Sequence, residues 1–226
     1  MIIVFGGIKG GTGKSTVAFH LAVQAYLLGK NIETIDLDFP QYTFSRYYEN
    51  RKKNPDLTCW EKHTSLKTLD DFNFNDDKIY IIDTPGRYSD EVVKAHVLAD
   101  VIITPVNESL IDLDTIMEIS NNKWTKLSHY SGVMFESRKS KAAKWFVVHN
   151  RSSSINSKNK KNIKEKLQDL SKKLNFEVMN GLKERTVFRE LFDKGMTVMD
   201  LKNKLSVSHI SARLEIKMIA SKVLDK

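Results

Sequence analysis

Residues 2–14 read IIVFGGIKGGTGK, an apolar run that passes directly into a glycine cluster and closes on a lysine. Few folds accept that opening. A run of this kind suits a buried strand, and the amphipathic stretch from Ser15 to Leu28 that follows it reads as a helix. Between the two, Gly10, Gly11 and Gly13 let the backbone turn its N–H groups inward, Thr12 completes the loop, and the helix N-terminus adds partial positive charge. Such a strand–loop–helix unit cradles a polyphosphate. Lys14 is then expected at the β and γ phosphates, Ser15 as a ligand of Mg²⁺, and Thr16 as a donor to the α phosphate.

The rest of the chain repeats the alternation. IIVFGGI, NIETIDLD, KIYIIDTPG, DVIITPV, KWFVVHN and FEVMN read as strands, several apolar almost throughout, as in strands covered on both faces. Helical patterns run from Ser15 to Leu28, Leu110 to Ser120, Asn159 to Leu174 and Ile210 to Leu224. This succession predicts an α/β fold with a doubly wound, mostly parallel sheet, whose ligands sit beyond the carboxyl ends of the strands. No Pro-, Gly- or Ser-rich linker divides residues 1–226, so a single domain is expected. The runs RKKN (51–54) and SKNKKNIKEK (157–166) read as a loop and a solvated helix face.

Two more strand ends carry acids. IYIID delivers Asp83, the form of a Walker B strand, where a carboxylate closing an apolar run needs a cation as partner. NIETIDLD delivers Asp36 and Asp38, read as facing opposite sides and so as having separate tasks. Asp38 is assigned to orienting the attacking water and Asp36 to the outer shell of the metal. Thr84 and Gly86 are expected to sense the γ phosphate. An Asn-Lys-x-Asp guanine signature is absent and VVHNRSSS stands in its place, which favours ATP, with Asn150 on the adenine edge and Arg151 stacked on the ring.

Composition narrows the partners. Residues 1–135 hold 14 Lys+Arg against 18 Asp+Glu, and residues 136–226 hold 22 against 10. A basic half of this kind attracts polyanions, chiefly nucleic acid or anionic lipid. The single Cys59 supplies neither a disulfide nor an iron–sulfur site, which excludes a nitrogenase-reductase-like role. No apolar run is long enough for a bilayer span, and a cytoplasmic location is expected. In the final helix Leu214, Met218, Ile219 and Val223 recur at helical spacing, which reads as core packing and not as a membrane-binding face.

Lys9 remains. It precedes the glycines in Lys-Gly-Gly-Thr-Gly-Lys-Ser, and Ile8 stands where the standard loop has its first glycine. This deviant Walker A form resembles the signature of the ParA/MinD ATPases, in which such a lysine reaches across a dimer to the partner's nucleotide. DLDFPQYTFSRYYENR, PVNESLIDLDT, HNRSSS, GLKERTVFRELFDKGMTVMDL and SVSHISARLEI narrow the resemblance to the MipZ family, which positions the division plane, over nearly the whole chain. The resemblance implies an ATP-dependent homodimer that hydrolyses slowly, binds nucleoid DNA without sequence preference, meets the centromere-binding protein ParB and inhibits FtsZ polymerisation. Lys183, Arg185, Arg189, Arg213 and Lys217 are the expected DNA contacts. Arg87 departs from many relatives, which carry a small residue after DTPG. A chromosome or plasmid partition ATPase is the alternative within the fold. A metabolic P-loop ligase of the dethiobiotin synthetase kind is the alternative from another functional class, and no acid-substrate residues support that reading.

Overall fold

The computed structural model of the chain describes residues 1–120, 123–140, 142–152, 158–203 and 205–224. In chain order the first elements are β1 Ile2–Phe5, α1 Lys14–Leu27, β2 Ile32–Asp36, α2 Thr43–Lys53, β3 Lys62–Ser65, β4 Ile79–Asp83 and α3 Asp90–Leu98. There follow β5 Val101–Val106, α4 Leu110–Asp114, β6 Met117–Ser120, β7 Lys123–Leu127, α5 His129–Ser140, β8 Lys144–His149, α6 Lys158–Leu174, β9 Glu177–Asn180, α7 Val187–Glu190 and α8 Val207–Leu224.

Seven strands form one sheet in the order β3-β2-β4-β1-β5-β8-β9, and every neighbouring pair is parallel. From β1 the chain moves outward through β2 and β3, returns with β4, and then builds the opposite side. Loops leaving β1, β2 and β4 therefore converge at one edge, the crevice where such sheets bind ligands. Register makes this concrete: Asp83 ends β4 opposite Phe5 on one side and Asp36 on the other.

Alternation along β1 shows how the sheet is covered. Ile3 and Phe5 enter a core with Phe19, Phe44, Ile216 and Ile219, so α1, α2 and α8 pack on that face. Ile2 and Val4 enter the opposite core with Ala95, Met134 and Leu167, which belong to α3, α5 and α6. Successive strand residues point to opposite faces, so a strand buried on both sides such as β1 is apolar at every position unless a polar residue finds a partner.

Helix ends follow local chemistry. Ser89 caps α3 by accepting from Val92 N, and Asp90 and Glu91 stand in its positive first turn. At α1 the first turn has no acidic residue and no side-chain cap, and Gly13 enters it at φ 89°. Its terminal N–H groups are left for an outside anion.

Two expectations are corrected. Residues 110–120 are not one helix: α4 stops at Asp114 and Met117–Ser120 pairs antiparallel with β7. Side-chain hydroxyls take the carbonyls that would continue the helix, Thr115 donating to Asp112 O at 2.6 Å and Ser128 to Thr115 O at 2.5 Å. Nor is 51–54 a loop throughout, since Arg51–Lys53 close α2. Arg51 is 1% exposed and forks onto Asp200 at 2.8 and 2.9 Å, an ion pair buried beneath the turn at Gly195.

Candidate functional site

The loop between β1 and α1 closes on itself. Lys14 is almost fully buried and its ammonium donates to the Lys9 carbonyl at 3.0 Å. Beside it opens a cavity of about 550 Å³, whose lining includes Lys14, Ser15, Thr16, Asp38 and Arg87. The expected phosphate residues Gly10, Gly11 and Gly13 border it too, with Thr12 buried just beneath. Burial lowers the Lys14 ammonium from its ordinary value, against the pull of Asp83 and Asp38.

Asp83 is wholly buried at the end of β4 beside Ser15, and neither carboxylate oxygen has a well-formed hydrogen bond. Desolvation drives it well above the usual carboxylate range, Asp36 adds to that, and Ser15 and Lys14 act in the opposite direction. A dry carboxylate in this position lacks a cation. Among the described residues no group of three His, Cys, Asp or Glu holds a metal by itself, so a cation at Asp83 would have to share its shell with phosphate and water.

The acids after β2 are arranged differently from the sequence expectation. Residues two apart on a strand share a face, so the expected opposite facing does not hold, and β2 in any case ends at Asp36, leaving Asp38 in the segment beyond it. Asp36 accepts from Asp38 N at 2.9 Å, Ser45 N at 2.9 Å and the Ser45 hydroxyl at 2.8 Å. These bonds anchor the segment that carries Asp38. Half-buried Asp38 reaches the cavity; desolvation and Asp36 raise its carboxyl, and Lys14 and Arg87 lower it. Thr84 donates to Phe5 O at 2.7 Å, which commits its hydroxyl to β1. Gly86 lies against the loop so closely that a Cβ there would stand 2.7 Å from Gly10.

Asn150 is held on two sides. Its Nδ2 donates to Thr12 O at 2.7 Å and its Oδ1 accepts from Leu182 N at 2.9 Å, both in the interior. The amide braces the phosphate loop against the segment after β9, with one N–H and one lone pair uncommitted, and Asn150 also borders the neighbouring cavity. Arg151 donates to Gly11 O at 2.8 Å. Next to both lies a second cavity of about 240 Å³, lined by residues that sequence reasoning passed over, among them Tyr47, Leu182 and Phe188. Their signal was only general apolarity.

Lys9 does not float on the surface. Its ammonium pairs with Asp112 of α4, a carboxylate 1% exposed whose other oxygen accepts from Asn107 N at 2.9 Å. The basic residues divide. Arg185 forks onto Glu215 at 2.6 and 2.7 Å, and Arg213 donates to Val198 O and Leu201 O. Both guanidiniums are spent inside the fold, which corrects their reading as DNA contacts. Lys183, Arg189 and Lys217 are exposed, Arg189 only 4.0 Å from Glu184.

A parallel sheet in this order, a glycine loop with an extra lysine and a buried acid at the end of β4 define a P-loop ATPase of the ParA/MinD class. A family model described as ATPase MipZ matches residues 1–67 and 60–224, and the chain belongs to that family. A search of curated proteins gives no match. Among solved structures the fold is similar to an ATP complex of a McdA variant from Cyanothece, at 13% identity and TM-score 0.68, covering 99% of this chain and 95% of that one. It is similar to MinD from Aquifex aeolicus at 16% identity and TM-score 0.64, covering 100% and 97%. A putative plasmid partition protein from Borrelia burgdorferi B31, bound to AMPPNP, matches at 14% identity and TM-score 0.60, covering 98% and 99%.

Proposed function

We propose that residues 1–226 act as one domain, an ATP-driven dimeric switch that positions the division plane. The observation that carries this is the cavity lined by Lys14, Ser15 and Asp38 at the N-terminus of an uncapped helix, with buried Asp83 beside Ser15 and Lys9 on the same loop. Backbone N–H groups of Gly10, Gly11 and Gly13 and the Lys14 ammonium bind the β and γ phosphates, and Thr16 the α phosphate. Ser15 and Asp83 would hold Mg²⁺. Bound there, the ion neutralises charge on the phosphates and the buried carboxylate alike. Asp38 orients the attacking water and, half-buried beside Lys14, keeps competing water few. The base occupies the neighbouring cavity against Phe188 and Leu182, with Arg151 at its mouth.

Lys9 makes the switch dimeric. A buried anion holds it in cis in the single chain; a partner's triphosphate offers more charge and draws it across. ATP then favours association, and hydrolysis reverses it. Basic Lys183, Arg189 and Lys217 support retention on duplex DNA, weak for one subunit and stronger for two. ParB and FtsZ are proposed partners through membership of the family. No helix among the described residues is long and apolar enough to cross a membrane, and a nucleoid-associated position is proposed.

Co-sedimentation tests the reading. In a non-hydrolysable ATP analogue the protein should shorten FtsZ polymers and pellet with DNA, and in ADP it should do neither. A partition ATPase would bind DNA in the same nucleotide state and leave FtsZ polymers unchanged.

A further inference from the structure

Arg87 leaves β4 directly after Gly86 and stands exposed at the rim of the phosphate cavity. Its Nη2 donates to the carbonyl of Phe39 at 2.6 Å. Phe39 is the neighbour of Asp38, so this bond joins the segment after β4 to the segment after β2. The latter segment is held at several further points. Asp38 N donates to Asp36, Tyr42 N donates to the Asp38 carbonyl at 2.8 Å, and Tyr42 takes φ 44°, rare for a residue with a side chain. The Phe39 ring packs edge-on against Tyr42, and the Lys67 ammonium lies 4.5 Å from its centroid. Among the described residues the Asp38 carboxylate itself accepts no protein hydrogen bond and is left to the cavity. The hydrogen bonds fix the backbone of the segment: Leu37 N also donates to Asp83 O at 2.9 Å, and Arg87 adds a side-chain link from the segment beyond β4.

We propose that Arg87 is a positioning residue for hydrolysis, holding Asp38 at the cavity by fixing the Phe39 carbonyl across the gap between the two segments. The proposal rests on the reading that the cavity binds ATP and that Asp38 orients the water. A main-chain carbonyl bound by a guanidinium cannot swing outward without losing a charge-assisted bond, so the acid stays near the site when the cavity opens to solvent. Arg87 reaches the reaction through Phe39, and its loss should alter turnover more than binding.

The test compares the full chain with Arg87→Ala, Arg87→Lys and Asp38→Asn. Steady-state ATP hydrolysis gives kcat and KM, a ribose-labelled fluorescent ATP gives affinity, and thermal melting reports folding. Arg87→Ala should lower kcat about tenfold, the loss of one charge-assisted bond, and leave labelled-ATP affinity within about twofold. Arg87→Lys, which keeps a cationic donor, should recover most of the rate. An Arg87→Ala protein with wild-type kcat overturns the proposal. So does a parallel loss of affinity and rate that Arg87→Lys does not restore. Should Arg87→Ala melt early, Arg87→Lys and Arg87→Gln decide it: both retain a donor, and rates no better than that of Arg87→Ala count against positioning. If Asp38→Asn hydrolyses at the wild-type rate, or the wild type binds no labelled ATP, the functional reading itself fails, whatever Arg87 does.

Discussion

Lys9 and Lys14 leave the same loop and meet different partners. Lys14 turns inward to the Lys9 carbonyl, and Lys9 turns outward to Asp112. The Asp112 pair therefore competes with any phosphate that would recruit Lys9 from outside. A half-exposed pair of this kind is worth at most about 1 kcal/mol. Asp112→Asn should accordingly lower the ATP concentration for half-maximal dimerisation by roughly fivefold, read by light scattering; an unchanged or higher midpoint would show that the pair restrains nothing. Asn150 gives a second test. As a brace it leaves Thr12 O and Leu182 N unpaired when cut to Ala, so chemical unfolding should report a loss of about 2–4 kcal/mol. As a reader of the base it would alter the preference for ATP over GTP at constant stability, and that result would favour the sequence assignment. Residue-scale chemistry near the loop was legible because Lys14, Ser15 and Asp83 follow from local pattern. Asp112 was not, since it lies 103 residues from Lys9 and nothing near either residue announces the pair.

At the scale of elements, the strands most readily read were those buried on both faces. β1 is apolar throughout, and β4 and β5 nearly so, because cores lie above and below them. The β6–β7 hairpin escaped because Lys123–Leu127 is mostly exposed and its alternation is polar. Buried Arg51 and committed Arg185 and Arg213 escaped for a related reason: sequence counts a cation but does not show which carboxylate or carbonyl has claimed it. That distinction separates two groups of charge reversals. Lys183→Glu and Arg189→Glu remove exposed charge and should weaken DNA retention, with the dependence of log K on log salt flattening by about 0.9 for each phosphate no longer neutralised. Arg185→Glu sets two carboxylates together and should lower the melting temperature first, whatever it does to DNA. Filter binding beside melting curves checks both. If Lys183→Glu and Arg189→Glu hold DNA as tightly as wild type at matched salt, this surface does not bind it.

For the molecule as a whole, buried titrating groups set the response to pH. Burial pushes the imidazoles of His20, His63 and His96 down to about 4 from 6.5. Their pKa is lower folded than unfolded, so the stability they contribute is complete above about pH 6.5 and is lost as pH falls toward 4, up to about 3 kcal/mol for each. Asp83 and Asp38, both raised, oppose this, because protonation relieves their burial. Three histidines against two acids predict a urea midpoint that falls between pH 7 and pH 5 in the nucleotide-free protein. A midpoint that holds or rises over that interval would contradict the balance. The central claim, that nucleotide state becomes association state through Lys9, is tested most directly by sedimentation velocity on wild type and Lys9→Ala, each in ADP and in a non-hydrolysable ATP analogue. Wild type should sediment as a dimer only in the analogue, while Lys9→Ala stays monomeric in both yet binds labelled ATP as well as wild type does. A Lys9→Ala protein that dimerises like wild type in the analogue would contradict it.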